Sequence, residues 1–289
     1  MNSTLIDISG KLNAGLIELY VDLKKHTDSL NISMLVVGAM ARDLVLHYGF
    51  GAAIERGTRD VDFAISVSSW EDFSNLRKLL LASGYVAHRK HLHNFSFVSS
   101  DGLMWELDVV PFGDIAEKHE ISWPPEHEFH MSVLGFPEAL SAALQVRICR
   151  SPESIISVAS PAGICLLKLI AWTDRAVEKR PKDASDVRYL IDSYAKIPSI
   201  SEALYTENYM ELYDFDETLA SAVKLGEDAG AIALPETVSA LKLTLFENEK
   251  NKVHFALDMR SPRRISQPVD TGELFDLLIQ GFLSKAEEG

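Results

Sequence analysis

The sequence is poor in the features that mark disulfide scaffolds, membrane spans or broad duplex binding. It holds only two cysteines, Cys149 and Cys165, too few for a disulfide framework, and neither has a Cys or His partner at zinc spacing. Basic side chains are in the minority, 28 against 42 acidic ones, for a formal net charge of −14. That balance argues against nonspecific duplex binding, which draws on many Lys and Arg contacts to phosphate, but leaves room for a local basic patch. No apolar run reaches the roughly 18 residues needed to span a bilayer, because Lys168 interrupts the best candidate. The opening residues Met1 to Asp7 lack the basic and apolar regions of a signal peptide. A soluble cytoplasmic protein with no membrane partner is the expectation. There is no internal repeat and no low-complexity tract. What remains is 289 residues with 47% hydrophobic and 24% charged side chains, enough to bury a core in one or two domains.

The chain changes texture near its middle. Leu5 to about Lys25 places Leu5, Ile6, Leu12, Leu16, Ile17, Tyr20 and Leu23 at helical spacing. Met34-Leu35-Val36-Val37 reads as a buried strand ended by Gly38, with Ala39 to Tyr48 helical after it. Val61 to Val67 reads as a second strand. The next helix has two start signals, Ser68 before Glu71 and Ser69 before Asp72, and stops at Gly84. Extended runs at Asn94 to Val98 and Met104 to Phe112 are joined by a Ser-Ser-Asp-Gly turn, and Pro124 to His130 reads as a loop. From Pro161 onward the pattern is mainly helical. Residues 1–155 therefore read as a layer of strands and helices and 156–289 as a mainly helical domain, an α+β class overall.

Chemistry concentrates in Thr58-Arg59-Asp60-Val61-Asp62-Phe63. Aspartate is a poor strand former, yet two of them open an otherwise apolar strand. Two apart, Asp60 and Asp62 point to the same face and repel each other unless a cation sits between them. A hard divalent ion such as Mg²⁺ resolves the conflict, and a solvent-facing strand edge or an Asp cap is the plain alternative. Asp108 interrupts a second apolar strand, with Glu106 on the same face. If the two strands are neighbours, Asp60, Asp62 and Asp108 converge, as a two-metal phosphoryl or nucleotidyl transfer site requires; Glu106 reads better as solvated. The third piece is Val36-Val37-Gly38-Ala39, where a strand passes through a small residue into a helix and its N–H groups offer a place for a triphosphate. Neither a P-loop nor a Gly-x-Gly-x-x-Gly fingerprint is present.

Together these elements resemble the nucleotidyltransferase superfamily with the polymerase-beta-like fold, over roughly residues 30–115. The downstream Lys168…Arg175, followed by Lys182-Asp183-Ala184-Ser185-Asp186, is similar to the AbiEii/AbiGii-type toxin nucleotidyltransferases of toxin–antitoxin and phage-defence loci, and extends the likeness to about residue 195. The resemblance implies a mixed sheet flanked by helices that binds an NTP with two Mg²⁺ ions. Gly38 and Ala39 would hold phosphates through their N–H groups, Asp60 and Asp62 the metals, and Asp108 would complete the site and help activate the attacking hydroxyl. Arg59 would belong to the nucleotide site, Lys168 would reach phosphate, and Asp186 would lie in the family's final acidic motif. The turn departs from the family's Gly-Gly or Gly-Ser, so no side-chain hydroxyl can contact phosphate there. The long gap from Gly38 to Asp60 leaves the placement of Arg56 and Arg59 open. The toxin likeness implies an RNA acceptor, a tRNA end, and an opposing antitoxin protein. Other branches modify aminoglycoside or lincosamide antibiotics, and a nucleotide-binding module without chemistry is a third reading.

Other groups carry weaker signals. Read without the family, Lys168 in so apolar a helix either snorkels or meets an anion, and it shares a face with Arg175. Asp183 is equally a helix cap or a partner for Arg175. His88, His91 and His93 cluster but lack the Cys or carboxylate company of a zinc site, and His127 and His130 read as solvated. The stretch from Ala176 to Lys182, and Arg260 with Arg263 and Arg264, are basic patches that suit either solvent or an RNA backbone. Leu274 to Leu283 is an amphipathic helix fit for core or subunit contact.

Overall fold

In a computed structural model the short apolar runs of the N-terminal part pair into one sheet. The structure describes residues 5–54, 60–88, 91–124, 128, 130–260 and 270–286. Contacts divide the chain into two units, Met1–Ser160 and Pro161–Gly289.

The first unit runs β1 (Ile6–Asp7), α1 (Ala14–Ser29), β2 (Ser33–Val37) and α2 (Gly38–Arg42), the last continuing as a π-helical turn over Asp43–Gly49. Then come β3 (Asp60–Ser66), α3 (Trp70–Ala82), β4 (Val86–Ala87), β5 (Asn94–Val98) and β6 (Met104–Phe112). β7 (Glu120–Ser122), β8 (His130–Ser132), α4 (Phe136–Ser141), β9 (Leu144–Arg150) and β10 (Glu153–Val158) complete it. Eight strands form a mixed sheet in the order β1-β9-β10-β2-β3-β6-β5-β4, and β7 with β8 makes a separate ribbon.

The central strands β2, β3 and β6 read as apolar runs because Leu35, Ala64 and Val110 are buried on one side while the opposite face is covered along its whole length. Val61 and Phe63 of β3, Leu107 and Val109 of β6, and Phe95 and Phe97 of β5 are buried on that face, with Tyr20 of α1 edge-on to Phe63 at 5.8 Å. Of the two start signals before α3, the chain uses the second. Ser69 accepts from the Asp72 N–H at 3.2 Å, and the Asp72 carboxylate accepts back from the Ser69 hydroxyl at 2.9 Å. Gly84, at φ +92, follows the helix where a left-handed residue is needed.

One expectation fails at the start of the chain. The helical spacing from Leu5 does not give a helix there, because Gly10 turns the chain at φ +80 and Asn13 caps α1 by accepting from the Leu16 N–H at 2.8 Å. Ile6 and Asp7 instead pair in parallel with Val146 and Arg147, and Asp7 binds Arg147 and Arg150 through its carboxylate. Pairing with a distant strand outweighs a local helical pattern of so few residues.

The second unit is helical in its described residues: α5 (Pro161–Asp174), α6 (Arg180–Tyr194), α7 (Pro198–Thr206), α8 (Tyr209–Leu212), α9 (Glu217–Ile232), α10 (Pro235–Leu241), α11 (Glu249–Asp258) and α12 (Thr271–Ala286). No helix among the described residues is long and apolar enough to cross a membrane. The amphipathic Leu274–Leu283 stretch lies in α12, which buries Leu274, Phe275, Leu278 and Phe282. Its packing on α9 is backbone to backbone. A Cβ on Gly226 would strike the Leu278 carbonyl, one on Gly230 the Phe282 carbonyl, and one on Gly281 the Val223 carbonyl. Gly230→Ala should therefore lower stability by about 1–3 kcal/mol, the usual cost of overpacking, as a lower urea midpoint at unchanged slope. An unshifted midpoint would mean that α12 is not seated this closely.

Candidate active site

β3 and β6 lie side by side in parallel, with Asp60 opposite Glu106 and Asp62 opposite Asp108. Partners in register share a face, so all four carboxylates project from the side of the sheet opposite Phe63 and Leu107. Asp60 and Glu106 are exposed, while Asp62 and Asp108 are half-buried. On the outer side β5 runs antiparallel to β6, with Asn94 opposite Asp108 and Ser96 opposite Glu106. On the inner side Val37, the last residue of β2, stands opposite Asp62, and the chain turns at once through Gly38. Adjacent strands lie about 4.8 Å apart, which sets the scale of the row from Gly38 to Asn94.

Gly38 is required here. Its φ of +70 disfavours a side chain, and a Cβ would run into the Asp62 carboxylate. The turn and Asp62 are thus pressed together, and Val37, at the N-cap position of α2, supplies no side-chain acceptor for the N–H groups that follow. Beneath the turn, Arg42 and Asp43 form a buried pair, with Arg42 Nε and Nη2 donating to Asp43 Oδ1 at 2.9 and 2.8 Å.

The three aspartates share a face but do not close on one point. Among the described residues no group of three or more His, Cys, Asp or Glu side chains is placed to hold one ion. The cross-strand register explains why: Asn94 stands opposite Asp108 and its amide donates to Asp108 Oδ1, holding that carboxylate toward β5. As ligands for magnesium the residues present fit in kind, since the aspartates beside the Gly38 turn offer hard carboxylate oxygens. In position, Asp60 and Asp62 fit best, on one strand beside the Gly38 turn. Arg56 and Arg59 lie outside the described residues.

The sequence does not disclose one part of this site. Asn94 carries no signal of its own, because its role depends on the pairing of β5 with β6. The histidines were legible as a cluster and take a different form from a metal site. His88 and His91 are exposed and stacked, with ring centres 5.7 Å apart and planes 18° from parallel. His91 lies 5.5 Å from His93, and His93 4.7 Å from the buried Trp123. Burial holds the His93 imidazole below its ordinary pKa; Asp108 pulls it upward and His91 adds to the downward push.

In the second unit, the Lys168 ammonium has partners other than the phosphate that the family likeness implies. It lies 2.9 Å from Asp183 Oδ1 and 2.8 Å from Asp186 Oδ2, and Arg175 Nη1 reaches both Asp183 oxygens at 3.1 and 3.0 Å. Lys168, Asp183 and Asp186 are all buried. Burial alone pushes the lysine pKa down, but Asp186 and Asp183 outweigh it and the net direction is upward. The seven-residue spacing of Lys168 and Arg175 thus puts both cations on Asp183, and the choice between cap and partner falls to partner. Such a network costs most when broken on one side. Lys168→Met, which removes the cation from between two buried carboxylates, should destabilise the chain by about 3–5 kcal/mol in urea unfolding; a loss within 0.5 kcal/mol, roughly that of a surface site, would contradict the buried network.

None of the curated proteins compared matches the chain. Similar solved structures include the antibiotic-resistance factor ANT(2'')-Ia, 15% identical over 70% of this chain and 97% of that one, with a TM-score of 0.37. The lincosamide antibiotic adenylyltransferase LnuA, bound to lincomycin, is 12% identical over 62% of this chain and 96% of that one, with a TM-score of 0.36. The Thermotoga maritima CCA-adding enzyme complexed with tRNA is 14% identical over 97% of this chain and 82% of that one, with a TM-score of 0.25. Assignment rests instead on the family model described as "Nucleotidyl transferase AbiEii toxin, Type IV TA system", which matches residues 25–261 and so takes in the turn, the carboxylate strands and the buried lysine network. The chain belongs to the AbiEii family of nucleotidyltransferases.

Proposed function

We propose that the enzyme transfers a nucleotide from an NTP to a hydroxyl of an RNA acceptor, with magnesium held by Asp60 and Asp62, and that it acts as the toxin of a toxin–antitoxin pair. The observation that carries the reading is the row on one sheet face: the Gly38 turn, then Asp62, then Asp108, on successive strands. The N–H groups of Gly38 and Ala39 would bind the triphosphate, since a helix N-terminus favours anions. Asp60 and Asp62 would hold the metal, and bound magnesium would neutralise the charge of the triphosphate and of the departing pyrophosphate.

Asp108, steadied by the Asn94 amide, has the other task. Its carboxylate accepts a hydrogen bond from the acceptor hydroxyl and orients the oxygen toward the α-phosphorus. As the new P–O bond forms, the bond between the α-phosphorus and the bridging oxygen breaks, and that electron pair leaves with pyrophosphate. The hydroxyl proton passes to Asp108 and on to solvent. Catalysis in this scheme is mostly positioning and charge neutralisation. Lys168 and Asp186, which the family likeness assigns to the nucleotide site, are ion-paired between α5 and α6, and the scheme does not draw on them.

Asp60→Ala and Asp62→Ala should each cut transfer of label from NTP by at least about 100-fold, with circular dichroism unchanged. Incubating the wild type with each labelled NTP, Mg²⁺ and total RNA, then separating by size, should place the label on RNA. Undiminished transfer in both variants would end the proposal. Label on an added aminoglycoside and none on RNA would move the acceptor to the antibiotic class.

A further inference from the structure

Beyond Asp108, on the side away from the Gly38 turn, the open sheet face carries a cavity of about 430 Å³. His88, His91, Asn94, Met104, Glu106 and Asp108 are among its lining residues. The volume lies in the range of small-molecule and cofactor sites. Strand order fixes its place. Gly38 leaves β2, Asp62 stands on β3 and Asp108 on β6, while the cavity lies over β6, β5 and β4. A triphosphate on the Gly38 turn and an occupant of this cavity would therefore approach the carboxylates from opposite sides.

The histidines give the cavity a flat wall. The stacked His88 and His91 rings are the outer end of a pile that passes through His93 to Trp123, which meets Phe73 at 5.7 Å. Backbone hydrogen bonds fix the residues that carry the rings: the His88 N–H donates to the Asn94 carbonyl at 2.9 Å, the Asn94 N–H to the His91 carbonyl at 3.2 Å, and the Val109 N–H to the His93 carbonyl at 2.8 Å. Rings anchored in a core and exposed at one end form a surface for another planar ring. The charges constrain what lies beyond the ring. Glu106 and Asp108 on the floor would repel a phosphate, so the occupant turns neutral hydroxyls or cationic groups toward them. A nucleoside at the 3′ end of an RNA satisfies both conditions, with a flat base and a ribose whose free hydroxyls stand at the end away from its phosphate. An amino sugar would suit the carboxylates but has no flat face for the rings.

We infer that this cavity seats the acceptor's 3′-terminal nucleoside, its base laid on the His88–His91 rings and its ribose hydroxyl facing Asp108. This rests on the proposed RNA acceptor and goes further, since it assigns the residues that bind its terminal base.

The test measures binding without turnover. A short single-stranded RNA labelled at its 5′ end is titrated with full-length protein, without NTP, and followed by fluorescence anisotropy. His88→Ala/His91→Ala should bind it about 10-fold more weakly than wild type, within the range for loss of one base-stacking contact. His91→Phe, which keeps a planar ring, should stay within about 3-fold of wild type, and the same RNA ending in a 3′-phosphate should bind the wild type about 10-fold more weakly. Equal RNA affinity for wild type and the double variant would overturn the inference, as would indifference to the 3′-phosphate or a His91→Phe as weak as the double variant. The proposed function fails separately: it falls if Asp60→Ala and Asp62→Ala keep full transfer, whatever the rings do to binding.

Discussion

The pairing of β3 with β6 is the constraint on which the site depends. These strands run parallel with Asp62 opposite Asp108, and a slip of one residue would send the two carboxylates to opposite faces. The buried face enforces that register. Val61, Phe63, Leu107 and Val109 are fully or almost fully enclosed, and shifting either strand by one would trade them for aspartates and a glutamate in the core. The apolar residues thus do structural work that the acidic residues exploit: hydrophobic burial on one side supplies the free energy that holds like charges together on the other. Gly38 extends the row, because its bare Cα lets the backbone come against Asp62 where any side chain would intrude.

The helical unit is held by a different pair of devices. One is electrostatic: Lys168 and Arg175 converge on Asp183, with Asp186 closing the group around the lysine. Removing charges from water is costly, and the network repays that cost only because both carboxylates are matched. The other is steric, the glycine contacts between α9 and α12 that bring two backbones within touching distance.

Much of this was legible in the sequence, and the misses share a cause. The strand at Met34–Val37, the Asp60-x-Asp62 strand, the capped helix before Gly84 and the hairpin through Ser99–Gly102 all follow from local pattern, and the structure has each of them. The Asp60–Asp62 face follows from alternation alone, and its company of Asp108 follows once the two strands are neighbours, as they are. Nothing local could show that Asn94 faces Asp108, because that depends on which strand pairs with β6 and in what register. The same holds for Ile6 and Asp7, whose partners Val146 and Arg147 lie far along the chain. Lys168 is the instructive case. Its spacing from Arg175 disclosed a shared helix face, and its apolar setting disclosed the need for an anion, but the sequence could not choose between a substrate's phosphate and the chain's own aspartates.

The placement of α12 has a consequence for the order in which the protein takes shape. Every strand of the sheet has been synthesised once Val158 is made, so the acidic face can assemble while later residues are still being added. The helical unit must wait for Phe282, because α9 presents its glycines to a segment made some fifty residues afterwards. During that interval α9 exposes a bare strip of backbone and small side chains to the nascent chain's surroundings. A nascent chain paused in that interval would carry a complete sheet and an unfinished helical unit.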